Sequence, residues 1–123
     1  MPAQGTTVLV IDDEEPILDL VEKVLTSEGY GFVGALSGSE GLSALTINHE
    51  EIGAVVLDVT MPDMSGEEVL KTILERDPNM PVLVMSGHNS DRVSSFVDGT
   101  LVRFLKKPFR PSELIESIEA VLE

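Results

Sequence analysis

Four short apolar runs in this chain of 123 residues each end in side chains that can do chemistry. Val8-Leu9-Val10-Ile11 leads into Asp12-Asp13-Glu14-Glu15, and Ala54-Val55-Val56-Leu57 leads into Asp58. Val82-Leu83-Val84-Met85 leads into Ser86, and the run from Leu101 to Leu105 leads into Lys106-Lys107-Pro108. If these runs are strands of one parallel sheet, their carboxyl ends form a shared rim, the place where open α/β sheets bind ligands. Three carboxylates, a hydroxyl and an ammonium then converge from separate strands. Carboxylates gathered together repel, and hold their protons unless a cation intervenes. Hard oxygen donors of this type select Mg²⁺, with Mn²⁺ or Ca²⁺ as alternatives. A metal-bridged carboxylate beside a lysine and a hydroxyl has the parts for phosphoryl transfer. The cations offset charge on the equatorial oxygens, the hydroxyl orients one of them, and a carboxylate attacks in line. Asp58 is the expected nucleophile, because a buried central strand fixes its position. Asp13, and Asp12 through water, are expected to hold the ion.

The elements that must position these residues are legible in the hydrophobic pattern. The first three runs are continuous rather than alternating, as suits strands covered on both faces. The run at Leu101 is broken by Arg103, and a weaker run, Phe32-Val33, is flanked by Gly31 and Gly34. Both belong at sheet edges. Between the runs, apolar residues recur at helical spacing: Ile17, Leu18, Val21, Val24 and Leu25; Val69, Leu70, Ile73 and Leu74; and Leu114, Ile115, Ile118, Val121 and Leu122. Ser37-Gly38-Ser39-Glu40 and Ser65-Gly66-Glu67-Glu68 read as capping boxes. Gly29 and Gly99 read as helix stops. The segment from Ser90 to Asp98 is the least regular helix, short and polar. The expectation is α/β: five βα units in strict alternation, joined by right-handed crossovers.

Composition narrows the class of function. The length suits one domain; residues 1–6 are expected to be a flexible tail and residues 7–123 the domain. A hydrophobic fraction of 42% argues against disorder. The net charge of −14 repels phosphate backbones, so direct nucleic-acid binding is not expected. No apolar run approaches the roughly 20 residues of a spanning helix. Met1-Pro2-Ala3-Gln4-Gly5 has neither the basic nor the apolar segment of a secretory leader. With no cysteine present, the cytoplasm is the expected compartment.

The sequence resembles the receiver domains of the two-component response-regulator family. The resemblance rests on Val10-Ile11-Asp12-Asp13-Glu14, on Leu57-Asp58-Val59-Thr60-Met61-Pro62-Asp63-Met64-Ser65-Gly66, on Val84-Met85-Ser86-Gly87 and on Phe104-Leu105-Lys106-Lys107-Pro108-Phe109. It implies a flavodoxin-like doubly wound (βα)5 fold with strand order 2-1-3-4-5. It makes Asp58 the phosphoacceptor, with Asp13, Asp58 and the carbonyl of Thr60 on Mg²⁺ and Asp12 acting through water. Ser86 would bond the phosphoryl group, Lys107 would pair with it, and the Lys107–Pro108 peptide would be cis. Phe104 occupies the aromatic switch position. The implied partner is a histidine kinase or histidine phosphotransfer protein, which supplies the phosphoryl group to a signalling switch rather than to a metabolic enzyme. The downstream effector is not readable. The Met85-Ser86-Gly87-His88 and Phe104–Phe109 stretches resemble receivers at the C-terminus of hybrid sensor kinases, so both that setting and a stand-alone receiver are open. Gly99-Thr100 lies one residue further upstream of the Lys-Pro pair than the Gly-Ala of typical receivers.

Plainer roles sit beside these. Asp12 to Glu15 also suits the acidic first turn of a helix, which is compatible with metal binding. Lys106 and Lys107 cannot both face the site on an alternating strand; Lys107 is assigned inward and Lys106 to the surface. His49 and His88 read as surface residues, and the five methionines as core and loop filler. A phosphatase of the haloacid-dehalogenase type is the enzymatic alternative. It needs a second acid two residues after its nucleophile, where this chain has Thr60, and its metal acids come late in the chain. A nucleotide or flavin carrier needs glycines and backbone amides after the first strand, where four acids stand here.

Overall fold

Five strands alternate with helices in a computed structural model that describes residues 5–59, 66–86 and 101–122. The order is β1 (Thr7–Ile11), α1 (Glu15–Ser27), β2 (Gly31–Ala35), α2 (Gly38–Ile47), β3 (Ile52–Asp58), α3 (Gly66–Arg76), β4 (Val82–Ser86), β5 (Val102–Lys106) and α4 (Pro111–Leu122). All pairings are parallel, and the strands lie in the order β2-β1-β3-β4-β5. This is the flavodoxin-like arrangement that the resemblance implied. The expected helix over Ser90–Asp98, the cap at Ser65 and the stop at Gly99 lie outside the described residues.

The continuous apolar runs are strands covered on both sides, as their pattern predicts. One parity of the sheet, Leu9, Ile11, Val55, Leu57, Val82 and Val84, packs against Leu45, Val69, Leu70 and Ile73 of α2 and α3. The other parity, Val8, Val10, Ala54, Val56, Leu83 and Met85, packs against Leu18, Val21 and Leu25 of α1 and Leu114, Ile118 and Val121 of α4. The two runs that glycine or arginine interrupts are the edges. Among the described residues β2 pairs only with β1 and β5 only with β4, and Arg103 is exposed.

Local signals act where they were read. Helix α1 ends in a Schellman turn: Gly29 takes φ +90°, its N–H donates to Thr26 O, and the Tyr30 N–H donates to Leu25 O. At α2 the Ser37 hydroxyl accepts from the Glu40 N–H at 3.1 Å, and the Glu40 carboxylate accepts from the Leu36 N–H at 2.9 Å. The reciprocal bond thus lands one residue earlier than in the standard box. Gly5 and Thr6, assigned by sequence to the tail, take part in backbone pairing. Gly5 N–H donates to Gly29 O and Gly31 N–H donates to Thr6 O, each at 2.9 Å, because the β1–β2 ladder starts ahead of Thr7.

Two glycines are required by close approach. A Cβ on Gly66 would fall on the Cα of Val59, directly after Asp58, and one on Gly41 would fall on the Cδ1 of fully buried Ile11. Gly66→Ala is therefore expected to cost roughly 1–3 kcal/mol as the start of α3 is pushed off the end of β3. Chemical denaturation measures this, and an unchanged unfolding midpoint would refute the contact. Tyr30, only 5% exposed, offers a second test. Burial first, then the charges of Glu119 and Glu28, push its pKa above the ordinary 10.0. The fold therefore penalises tyrosinate: this contribution to stability is complete below the ordinary value and is lost as pH rises through the folded one. Tyr30 is the single tyrosine in a chain without tryptophan, so its ultraviolet titration is unobstructed. The midpoint should lie above 10.0, with Tyr30→Phe resisting alkaline unfolding better than the parent. A midpoint at or below 10.0 would contradict the burial.

Candidate functional site

The alternation that divides the core also aims the chemistry. Asp12 continues the parity of Val8 and Val10, Asp58 that of Ala54 and Val56, and Lys107 that of Leu105. All three leave the sheet at its carboxyl edge on the side covered by α1 and α4. Backbone pairing holds each of them. Asp12 N–H donates to Ala35 O at 3.0 Å, Asp58 lies opposite Met85, and Lys107 N–H donates to Ser86 O at 2.9 Å. The Lys107–Pro108 peptide is cis.

The side chains close the arrangement. The Lys107 ammonium donates to Asp12 Oδ2 at 2.9 Å, to Asp58 Oδ2 at 3.2 Å and to Glu14 Oε1 at 3.4 Å. Asp12 and Asp58 are 0% and 1% exposed, Lys107 15% and Glu14 59%. The other Asp12 oxygen, Oδ1, accepts from the Glu14 N–H at 2.9 Å. Burial raises the Asp12 pKa above its ordinary value, against the opposing pull of the Glu14 N–H and Lys107. Burial also works against the Lys107 charge, but the hydrogen bond and charge of Asp12, joined by Asp58, outweigh it and the lysine pKa is raised. The amine stays an ammonium because it is the counter-ion of the buried acids.

Asp12, Asp13, Glu14 and Asp58 can each bring one carboxylate oxygen within 4.8 Å of the others. The donors are all hard oxygens, without sulfur or imidazole. Asp13 and Glu14 are the two exposed members, and with Glu14 engaged by Lys107 it is Asp13 that is placed to meet a hydrated ion, so the chemistry of the set fits Mg²⁺ or Mn²⁺. Each Asp12 oxygen already accepts one hydrogen bond and retains one lone pair, which suits a contact through water.

The structure brings Asp12, Asp13, Asp58 and Lys107, four of the residues named from sequence, together in one cluster. Ser86 is buried at the end of β4, one register step beyond the Met85 that faces Asp58. Phe104 lies opposite Val84 on β5 and is 39% exposed. Lys106 is exposed, as its parity requires. His49 is also exposed, lining a surface cavity with Leu45, Thr46 and Arg76. Thr60 and His88 lie outside the described residues. The residue that sequence missed is Glu14. It was read only as a first-turn acid, yet its side chain makes no capping bond and reaches Lys107 instead. Four consecutive acids carry no signal for which of them turns across the rim.

A stability test follows from the raised Asp12 pKa. The folded chain holds this proton more tightly than the unfolded chain, so ionised Asp12 subtracts from stability above the ordinary carboxylate range. The subtraction vanishes as pH falls below that range. Asp12→Asn should therefore be more stable than the parent near neutral pH, and the difference should shrink on acidification. Urea unfolding across a pH series measures it. A variant less stable at neutral pH would mean that the Lys107 contact outweighs the burial.

Comparison with known proteins agrees with this geometry. Residues 8–119 match the response regulator receiver domain family. The transcriptional regulatory protein GlrR of Escherichia coli is 38% identical over 117 residues, which are 94% of this chain and 26% of that protein. This chain therefore corresponds to about a quarter of that relative's length. A response regulator receiver domain protein from Clostridium thermocellum superposes with a TM-score of 0.85 at 31% identity, covering 95% of this chain and 94% of that one. The response regulator TrrA of Thermotoga maritima, solved in complex with Mg²⁺ and beryllium fluoride, superposes with a TM-score of 0.82 at 28% identity, covering 95% and 99%. Among the described residues no helix is long and apolar enough to cross a membrane. With its sheet order, its rim of acids around one lysine and a family match across nearly its whole length, the chain belongs to the response regulator receiver domains, which are signalling switches rather than metabolic enzymes.

Proposed function

We propose that Asp58 is the phosphoacceptor of this receiver and that Asp12, Asp13, Ser86 and Lys107 serve its phosphorylation. One observation carries the reading: Lys107, from the end of β5, bonds at once to the buried carboxylates of Asp12 and Asp58, from the ends of β1 and β3. The donor is a phosphohistidine of a histidine kinase or phosphotransfer protein. An Asp58 oxygen attacks the phosphorus, the P–O bond forms as the P–N bond breaks, and the imidazole leaves with the electron pair and takes a proton. Water later attacks the same phosphorus, the bond from phosphorus to the Asp58 oxygen breaks, and inorganic phosphate leaves as Asp58 returns to a carboxylate. This slow self-hydrolysis makes the switch transient.

Asp13 and Asp58, with the carbonyl of Thr60, would hold Mg²⁺ or Mn²⁺, and Asp12 would act through water. The ion supplies positive charge against the phosphoryl oxygens. Lys107 supplies a second cation from the opposite strand, and its hydrogen bonds preset its direction. The Ser86 hydroxyl donates to a phosphoryl oxygen once one is present. Ser86 and Phe104 lie on paired strands, so a shift of β4 toward the phosphoryl group is linked to inward rotation of Phe104. The modification then biases an existing two-state equilibrium. The family match removes the reason for preferring the haloacid-dehalogenase phosphatase. The proposed setting is the cytoplasm, and a downstream effector reads the switched surface.

Incubation with acetyl phosphate and Mg²⁺ should add one base-labile phosphoryl group, located by mass spectrometry on Asp58 and absent from Asp58→Asn. Lys107→Ala should keep most of its Mg²⁺ affinity but lose the response of Phe104-adjacent signals to beryllofluoride, roughly tenfold or more in midpoint. Lys106→Ala should be silent. Phosphorylation persisting in Asp58→Asn would remove Asp58 from the role, and equal losses in the two lysine variants would mean the wrong lysine was assigned.

A further inference from the structure

We infer that Glu14 is a positioning residue that latches Lys107 in the unphosphorylated state and competes with the incoming phosphoryl group for its ammonium. The inference rests on Asp58 being the phosphoacceptor and adds a residue that the matched motif does not assign. Glu14 precedes the first residue of α1, where an acid would ordinarily cap the helix, but its side chain makes no capping bond. Its N–H is tied to Asp12 Oδ1 at 2.9 Å, and its carboxylate lies 3.4 Å from Lys107 Nζ. The two side chains are 93 positions apart in the chain, so the contact bridges the end of β1 to the end of β5.

The three acids on this ammonium are not equivalent. Asp12 and Asp58 are buried and fixed by strand ends, whereas Glu14 is 59% exposed and sits on a longer, rotatable arm. Asp58 would become the anchor of the phosphoryl group, and Asp12 would face the metal. Glu14 alone can leave for solvent at little cost. It is also an exposed negative charge 3.4 Å from the ammonium that an anionic donor must approach. Before transfer it helps hold the lysine; after transfer the phosphoryl oxygens replace it, and like-charge repulsion drives it outward. Its charge therefore favours the unmodified state and shortens the life of the modified one.

The test compares the wild-type chain with Glu14→Gln, which keeps shape and hydrogen bonding but removes the charge, and with Glu15→Gln, which makes the same change in net charge one residue away. With acetyl phosphate as donor, Glu14→Gln should reach half-maximal rate at a donor concentration about three- to tenfold lower, and lose its phosphoryl group more slowly. The gain should shrink as salt is added. Glu15→Gln should match wild type. Without any donor, the Lys107 ammonium resonance should shift in Glu14→Gln alone, a signature that a purely structural role would not give. Paramagnetic relaxation with Mn²⁺ should show near-wild-type metal affinity in Glu14→Gln and a large loss in Asp13→Asn. Equal gains in both glutamine variants would reduce the effect to overall charge and overturn the latch. So would an unmoved Lys107 resonance, or a metal loss matching that of Asp13→Asn. Failure of the wild-type chain itself to accept a phosphoryl group would instead count against the Asp58 assignment, and the Lys107 resonance would still decide the latch.

Discussion

The site depends on a single ammonium held among acids that the fold has taken out of water. In a chain of net charge −14, placing Asp12 and Asp58 at essentially zero exposure carries a desolvation cost that attraction must offset. Lys107 relieves it at 2.9 and 3.2 Å, but one positive charge does not neutralise two buried carboxylates with Asp13 and Glu14 nearby. The residual negative field is the useful property. It leaves the rim with an affinity for further cations. A site fully neutralised by lysines would be more stable and chemically inert.

What allows the fold to sustain this arrangement is the rigidity beneath it. Val8, Val10, Ala54, Val56, Leu83 and Met85 form an apolar layer under the acids, closed by α1 and α4, so the strand ends cannot drift apart to relax the repulsion. Ladder hydrogen bonds extend past the strands at Asp12, Val59 and Lys107 and fix the backbone at each functional position. The two required glycines support the same end: Gly66 lets α3 begin against Val59, and Gly41 lets α2 pack on Ile11, the residues adjacent to Asp58 and Asp12.

Most of this was legible because it follows from period and parity. Continuous apolar runs identified the central strands, and the interruptions at Gly31, Gly34 and Arg103 identified the edges. Alternation allowed only one of Lys106 and Lys107 to face the site, and the adjacent Pro108 singled out Lys107. The order of strands came from the family resemblance, because no local pattern states which strand lies beside which, whereas Ser86 was singled out by its place after a buried run. Two features escaped for a definite reason. Pairing at Gly5 and Thr6 depends on the partner Gly29–Gly31, which a local reading does not see. The reach of Glu14 depends on a lysine 93 positions away, and four successive acids look alike until the helix start fixes their directions.

The geometry also explains how a change at one oxygen can be felt at the surface. β4 and β5 are paired from Val82 opposite Val102 to Ser86 opposite Lys106, and among the described residues β5 has no further neighbour in the sheet. Its outer edge is free to adjust without breaking a second ladder. The central strands β1 and β3 are held on both edges and by both core layers, so strain arising at Asp58 is resisted there. β4 is held in the same way, and the less constrained strand on this side of the sheet is β5, which carries the 39%-exposed Phe104 and leads into Lys107. In the proposed switch, a rigid acidic centre two strands away from the β5 edge would pass its response toward that edge, because the doubly paired strands between them resist deformation.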